Sequence, residues 1–350
     1  MEFQLLQHGR AAMDFIADLG GSTARLRPQI QADMSARGLS NDTLSDDLDQ
    51  RLRQVDTAMT DSQPFVALAY LSEWLSTQHG RVAHAAFEAQ RSEFEPRIRA
   101  LQQGGSTLEV IAGDNLPDYF RGPWIHRTTG GWDGHDFQGF VHGELVHREY
   151  VAKNYPGDIF AQRHEVLTTL PRRDYADIME FGSSSGHYTL QIAREFPRAQ
   201  LTGCDLSLRM LEQAQRLGNE HQFSWRLLQV AAEDTRLPAA SFDLVTSYIV
   251  LHEIPAEIAR AQLREAFRLL RPGGDLLFTD VTRYSALDKL GVFWAEYQAI
   301  NGGEPWWREA ASLDLGAAAR EAGFVDVRST GLGGKLYPWM VYGRKPGNVG

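Results

Sequence analysis

Short apolar runs at 177–182, 200–205, 225–230, 242–248 and 275–281 alternate with segments at 186–196, 207–217 and 256–270 that read as amphipathic helices. Strand-length runs separated by helix-length segments predict parallel strands joined by crossover helices, an α/β sheet covered on both faces. In such sheets ligands bind beyond the carboxyl ends of the strands. The residues that follow each run are therefore the first candidates for chemistry.

The first hundred residues carry a different period. Apolar residues recur at three and four, as in the stripe Phe65, Leu68, Leu71 and Leu75, which predicts helices with buried faces. Ser45 before Asp46 and Asp47 reads as the N-cap of a helix through Arg53, and Gly80 reads as a break after a helix ending near Gln78. Between Gly104 and Tyr155 glycines punctuate a stretch crowded with aromatic and imidazole side chains, among them Trp132, His142, His147, Tyr150 and Tyr155. Such a segment either walls a small-molecule pocket or packs against its neighbour, and both readings stay open. Three regions follow: a helical cap or dimerisation region at 1–105, a connecting and lid segment at 106–160, and a ligand-binding domain at 161–350.

Composition narrows the partners. The 350 residues are 43% hydrophobic and 23% charged, an ordinary globular balance, with a formal net charge of -10 that disfavours nucleic acid and anionic membranes. A single cysteine, Cys204, excludes an internal disulfide and a thiolate-rich metal site. Met1 to Gly20 lacks the features of a signal peptide and no apolar run is long enough to span a bilayer, so the expectation is a cytoplasmic protein without membrane or nucleic-acid partners.

Four segments concentrate the candidate chemistry. The first run ends in Glu180-Phe181-Gly182-Ser183-Ser184-Ser185-Gly186, a small-residue turn where a ligand can approach the backbone. The second ends at Asp205, where an acid either accepts from both hydroxyls of a ribose or caps the next helix, a task Ser207 can perform itself. The third leads into Glu233-Asp234, acids suited to an adenine amino group, then Leu237-Pro238 and Ser241-Phe242-Asp243. Leu270-Arg271-Pro272-Gly273-Gly274 reads as the end of a helix and a tight turn.

In this order and spacing, with Leu251-His252, these segments resemble the class I S-adenosylmethionine-dependent methyltransferases, especially small-molecule members such as the quinone-biosynthesis methyltransferases. The resemblance covers roughly Asp177 to Val281. It implies a Rossmann-like sheet of seven strands whose last hairpin, Val325–Thr330 with Lys335–Tyr342, is antiparallel, and S-adenosyl-L-methionine as cofactor. By position, Gly182 and Gly186 approach the methionine part, Asp205 binds the ribose hydroxyls, and Glu233 with Asp234 borders the adenine, with Ser184 and Leu206 as further cofactor-binding positions. Glu180 supports the turn, and Ser247 is carried over as a further cofactor-side position. The family commonly has glycine where this chain has Ser184. A nicotinamide dehydrogenase shares the early strands but not the Leu-Arg-Pro-Gly-Gly and Ser-Phe-Asp segments.

A sulfonium methyl is already activated, so such an enzyme aligns its acceptor and excludes water, and oxygen acceptors also need a base. His252, just after the fourth run, is the candidate base, with a structural role as the alternative. His142, His147, Tyr150, Tyr155, Trp294 and Tyr297 are the candidate acceptor-binding residues. The two histidines stand five apart, a spacing that diverges on an ordinary helix and faces opposite ways on a strand, so no metal site is expected. Arg121, Arg127, Arg148, Lys153 and Arg163 keep diphosphate acceptors open. The expected partner is a small-molecule acceptor, methylated at an oxygen, sulfur, nitrogen or carbon atom that the sequence leaves open, with a homodimer through the N-terminal helices as a further possibility. A macromolecule methyltransferase and a non-catalytic cofactor-binding scaffold are the competing readings.

Overall fold

In the computed structural model, which describes residues 3–122, 124–128, 130–155 and 157–347, the apolar runs of the C-terminal half are strands of one eight-stranded sheet. Its strands are β1 (Thr107–Val110), β2 (Asp177–Phe181), β3 (Gln200–Asp205), β4 (Arg226–Gln229), β5 (Phe242–Tyr248), β6 (Leu270–Asp280), β7 (Val325–Gly331) and β8 (Trp339–Arg344). They lie in the order β1-β4-β3-β2-β5-β6-β8-β7. All pairs from β1 to β6 are parallel, and β8 is antiparallel to both β6 and β7. Successive residues feed opposite faces: Ile178, Leu227, Leu244 and Leu277 enter one apolar cluster, while Met179, Leu228, Val245 and Phe278 enter the other. Both faces being dry explains why the runs are continuously apolar.

The strand beyond the expected seven is β1. It pairs with β4, Thr107 opposite Arg226 and Val110 opposite Gln229, so the 106–160 segment contributes to the sheet as well as connecting to it. Three of its four residues are exposed, which leaves no apolar signal to read. A second correction concerns Leu270 to Gly274. The helix Ala256–Leu269 passes directly into β6, and Arg271 to Gly274 form a bulge between the pairs Phe242–Leu270 and Leu244–Asp275. Arg271 bridges Asp177 and Asp243, each at 2.8 Å, and Asp243 also accepts from the backbone N–H groups of Ala176 and Asp177. These two sequence signatures thus tie the amino-terminal ends of β2, β5 and β6 together, away from the ligand end.

Among the described residues five α-helices, Gln7–Ser22, Arg27–Ala36, Leu48–Met59, Gln63–Glu88 and Arg91–Ala100, precede the sheet. The N-cap of the third is Asp47, which accepts from Gln50 N at 2.8 Å, not Ser45. Gly80 does not break the fourth, which runs through it for 26 residues. Packing on both neighbours outweighs the roughly 1 kcal/mol that an interior glycine costs: Phe65 and Leu68 enter one apolar cluster and Leu75, Ala83 and Phe87 another.

The segment Val141–Val151 is a π-helix. Its i→i+5 bonding places residues five apart on one face, so His142 and His147 do not diverge; their ring centroids are 4.7 Å apart. Glycines make its close seat possible. A Cβ on Gly143 would lie 3.0 Å from Ser185, and one on Gly139, just before it, 2.1 Å from the Arg209 carbonyl oxygen.

Candidate active site

A continuous cavity of about 840 Å³ extends from the carboxyl ends of β2, β3 and β5 to the N-terminal helices. At its sheet end lies the turn after β2. Gly182 and Gly186 have φ of +71° and +87°, and each is forced to be glycine by a neighbour: a Cβ would lie 2.4 Å from Val250 Cγ2 or 2.9 Å from Ala214 Cα. Ser184 adopts φ +45° without that freedom. Its N–H donates to Asp205 Oδ2 at 2.9 Å, and Ser207 N donates to Oδ1 at the same distance. Ser207 caps its own helix through Oγ, which accepts from Met210 N. The Asp205 carboxylate is therefore held by backbone while it still lines the cavity. Burial pushes its pKa up to about 6 against those two hydrogen bonds, so it is mostly ionised at neutral pH.

Gly182, Ser184, Asp205 and Leu206 line the cavity, joined by apolar Val230, Ala232 and Ile254. Glu180, Gly186, Glu233, Asp234 and Ser247 are not among the lining residues. Glu180 lies beneath the turn, where it accepts from Thr189 Oγ1 at 2.6 Å and burial pushes its carboxyl up to about 8. Gly186 is the N-cap of the helix His187–Glu195, which has no side-chain cap. Glu233 accepts from the Tyr119 hydroxyl at 2.6 Å, and its other oxygen is buried without a partner. Asp234 points to solvent toward Arg236, because the chain after β4 has already left the sheet. Ser247 lies wholly inside β5 with its hydroxyl unpartnered.

The far end is a chamber of rings. His126, Trp132, His142, His147 and His187 follow one another with centroids 4.7 to 5.9 Å apart. Burial pushes His142 and His187 down to about 3 and His147 well below its ordinary value, so these three are neutral. Tyr150, stacked on His79, and Tyr155, which accepts from Gln162 Nε2, join the lining with Arg163, Tyr248 and Tyr337. Trp294 and Tyr297 do not. The helix Lys289–Gly302 turns them toward Phe65 and Phe293 in the core of the N-terminal helices, and Gln298 faces the cavity instead.

His252 lines the cavity between these ends. Its Nδ1 meets Asp280 Oδ2 at 3.3 Å, and Asp280 is fixed by N–H donors of Leu251 and Val281 and by Arg283. Burial opposes charge on the imidazole, but Asp280 outweighs it and raises the pKa to about 9. Beside it His126 bridges Glu253 at 3.4 Å and Glu304 at 2.6 Å, and these acids hold it well above its ordinary pKa despite burial. Sequence reasoning passed over His187, Asp280 and Tyr337. The first two follow directly from a turn and a strand end in the predicted sheet; Tyr337 sits in the final hairpin, whose reach back to the site no local pattern announces.

A family model described as a methyltransferase domain matches residues 178–274. The ubiquinone biosynthesis O-methyltransferase of Xanthomonas oryzae pv. oryzae is 34% identical over 47% of this chain and 68% of its own length. The malonyl-[acyl-carrier protein] O-methyltransferase of Legionella pneumophila is 30% identical over 39% of this chain and 46% of its own. The chain spans less than half the length of several other curated relatives it matches. Among solved structures, Haemonchus contortus phosphoethanolamine N-methyltransferase 2 superposes with a TM-score of 0.45 at 17% identity over 61% of this chain and 57% of that one. With its glycine turn, its strand-end aspartate and its antiparallel closing hairpin, the chain belongs to the S-adenosylmethionine-dependent methyltransferase family.

Proposed function

We propose that the protein transfers a methyl group from S-adenosylmethionine to a small molecule held in the ring-lined chamber. One observation carries this reading: the cavity that begins at the glycine turn and Asp205 is continuous with a chamber large enough for a second ligand. The residues present fit the cofactor. Asp205 offers carboxylate lone pairs beside its two backbone hydrogen bonds, the uncapped start of the helix at His187 suits a carboxylate, and Leu206, Val230, Ala232 and Ile254 give an apolar berth for a purine. When bound, the cofactor supplies an activated methyl group. The chain's own residues then orient the acceptor, exclude water and take up any proton it sheds.

His252 holds a proton on the Asp280 side at neutral pH, so it acts there as a donor or as a positive charge facing the cavity; a base role would begin only as pH approaches about 9. The pre-sheet elements enclose the chamber as a lid, which favours a small acceptor over a protein or nucleic acid. The test is to titrate the purified chain with S-adenosylmethionine and S-adenosylhomocysteine by calorimetry, then incubate it with methyl-labelled donor and a bacterial metabolite extract. Label in a small-molecule fraction is the expected result. Binding without consumption of donor across extracts would establish the scaffold reading in its place.

A further inference from the structure

Four basic residues of the connecting region and Arg163, in the helix Ile159–Thr168 at its end, are candidates to meet an anion, and the first four are engaged elsewhere. Arg121 donates to the Asp114 carbonyl, Arg127 to the carbonyls of Ile300 and Asn301, Arg148 to Glu144, and Lys153 to Asp14 and Glu149. Arg163 differs. It is 5% exposed and lines the chamber, and no carboxylate among the described residues lies within ion-pair distance. Nη1 donates to the Ile159 carbonyl at 2.9 Å and Nη2 to His147 Nδ1 at 3.4 Å, while the Nε–H makes no hydrogen bond to a described residue. The guanidinium carbon lies 5.3 Å from the Phe160 ring and 5.2 Å from the Tyr248 ring, which fix its plane. Tyr337 lines the same end with a hydroxyl that has no partner among the described residues.

A buried cation without a counterion is costly, and neutral imidazoles do not neutralise it. Among the described residues, the acids lining the cavity are Asp205 and Glu253, the first at the sheet end and the second engaged by His126. The charge balance of the chamber is therefore completed by something that enters it. A planar guanidinium with unused N–H bonds matches a carboxylate in shape as well as charge. With the other four residues engaged and Arg27 lying over the Trp294 ring, Arg163 offers a single guanidinium, which suits one carboxylate better than a diphosphate.

We propose that Arg163 docks a carboxylate of the methyl acceptor, so that the substrate is a small organic acid with its charge at the tyrosine-lined end and its reacting atom toward the glycine turn. This rests on the methyl-transfer reading. It predicts that the acid group itself is not the atom methylated.

The test has two arms. Calorimetric titration of the whole chain, with and without S-adenosylhomocysteine, compares benzoate, phenylacetate and cinnamate with their carboxamides. The acids are expected to bind about 10- to 100-fold more tightly; Arg163→Gln removes the difference, Arg163→Lys keeps part of it, and Tyr337→Phe, which disturbs no side-chain hydrogen bond among the described residues, reduces it a few-fold. Equal binding of acids and amides to the natural chain overturns the proposal, and tighter binding of phenyl phosphate than of benzoate overturns the carboxylate assignment. In the second arm, label transferred to a metabolite extract is passed over an anion exchanger at neutral pH. Retained label supports the proposal and label only in the flow-through overturns it. If S-adenosylhomocysteine does not bind and no label moves, the methyl-transfer reading fails, while the acid and amide titration without it still decides the role of Arg163.

Discussion

The two ends of the cavity are made in different ways. At the sheet end the ligand-facing groups are backbone turns and a carboxylate pinned by two N–H donors, on strands whose register is fixed by a dry core on both faces. At the helical end they are side chains from a π-helix, the helix Ile159–Thr168, the Gln63–Glu88 helix and the final hairpin, brought together by packing between segments far apart in sequence. The first construction suits one constant ligand. The second can be altered one side chain at a time without disturbing the first.

Substitutions that affect one end alone test this division. The largest effect is expected from Asp205→Ala, which removes the proposed acceptor for the ribose hydroxyls and loosens the turn through Ser184 and Ser207; affinity for S-adenosylhomocysteine should fall about 100- to 1000-fold by calorimetry. Loss of less than about fivefold would remove Asp205 from the binding site.

His252 lies where the ends meet, and its effect should appear in stability. Its pKa is raised in the folded protein to about 9 from 6.5, so its contribution is fully present below about pH 6.5 and is lost as pH rises through about 9. The shift corresponds to a stabilisation on the order of 3 kcal/mol. Denaturant titrations from pH 6 to 10 should show an alkaline decline that His252→Gln flattens. A decline of equal size in the variant would show that another group titrates.

At the helical end, His142→Ala or His147→Ala should reduce acceptor turnover about tenfold and leave S-adenosylhomocysteine affinity within about twofold. Parallel losses in both measurements would mean that the ends are coupled through the contact of Gly143 with the turn. The smallest effect is reserved for Ser184→Gly. The serine occupies a left-handed conformation that glycine adopts freely, so the variant should be more stable by about 0.5–1 kcal/mol in thermal unfolding, unless the serine hydroxyl contributes to the ligand.

The same contrast explains what the sequence disclosed. Strand positions, the crossover helices and the placement of Gly182 and Asp205 were legible because a parallel sheet leaves continuous apolar runs and its ligand end follows each of them. The signatures around Asp243 and Arg271 were legible too, but they secure the opposite end of the sheet. The closeness of His142 and His147 is not legible, because neither an α period nor a strand brings residues five apart together and the chain winds here as a π-helix. β1 was missed because its residues are exposed and its partner lies more than a hundred positions away. Trp294 and Tyr297 show that aromatic abundance does not say which face of a helix meets a ligand: they fill a core, and Gln298 beside them meets the cavity.

Gly80 gives the long helix a vacant position facing the chamber: it lines the cavity, and a Cβ placed there would meet nothing within 4 Å. Larger side chains at this one site would act as a depth gauge, shortening the chamber stepwise from alanine to leucine without moving the backbone. Since alanine is also the better helix former, the first step should come with a gain in stability. Single substitutions at this position, on a helix outside the sheet, would thus retune the size of the acceptor that the proposed chamber admits.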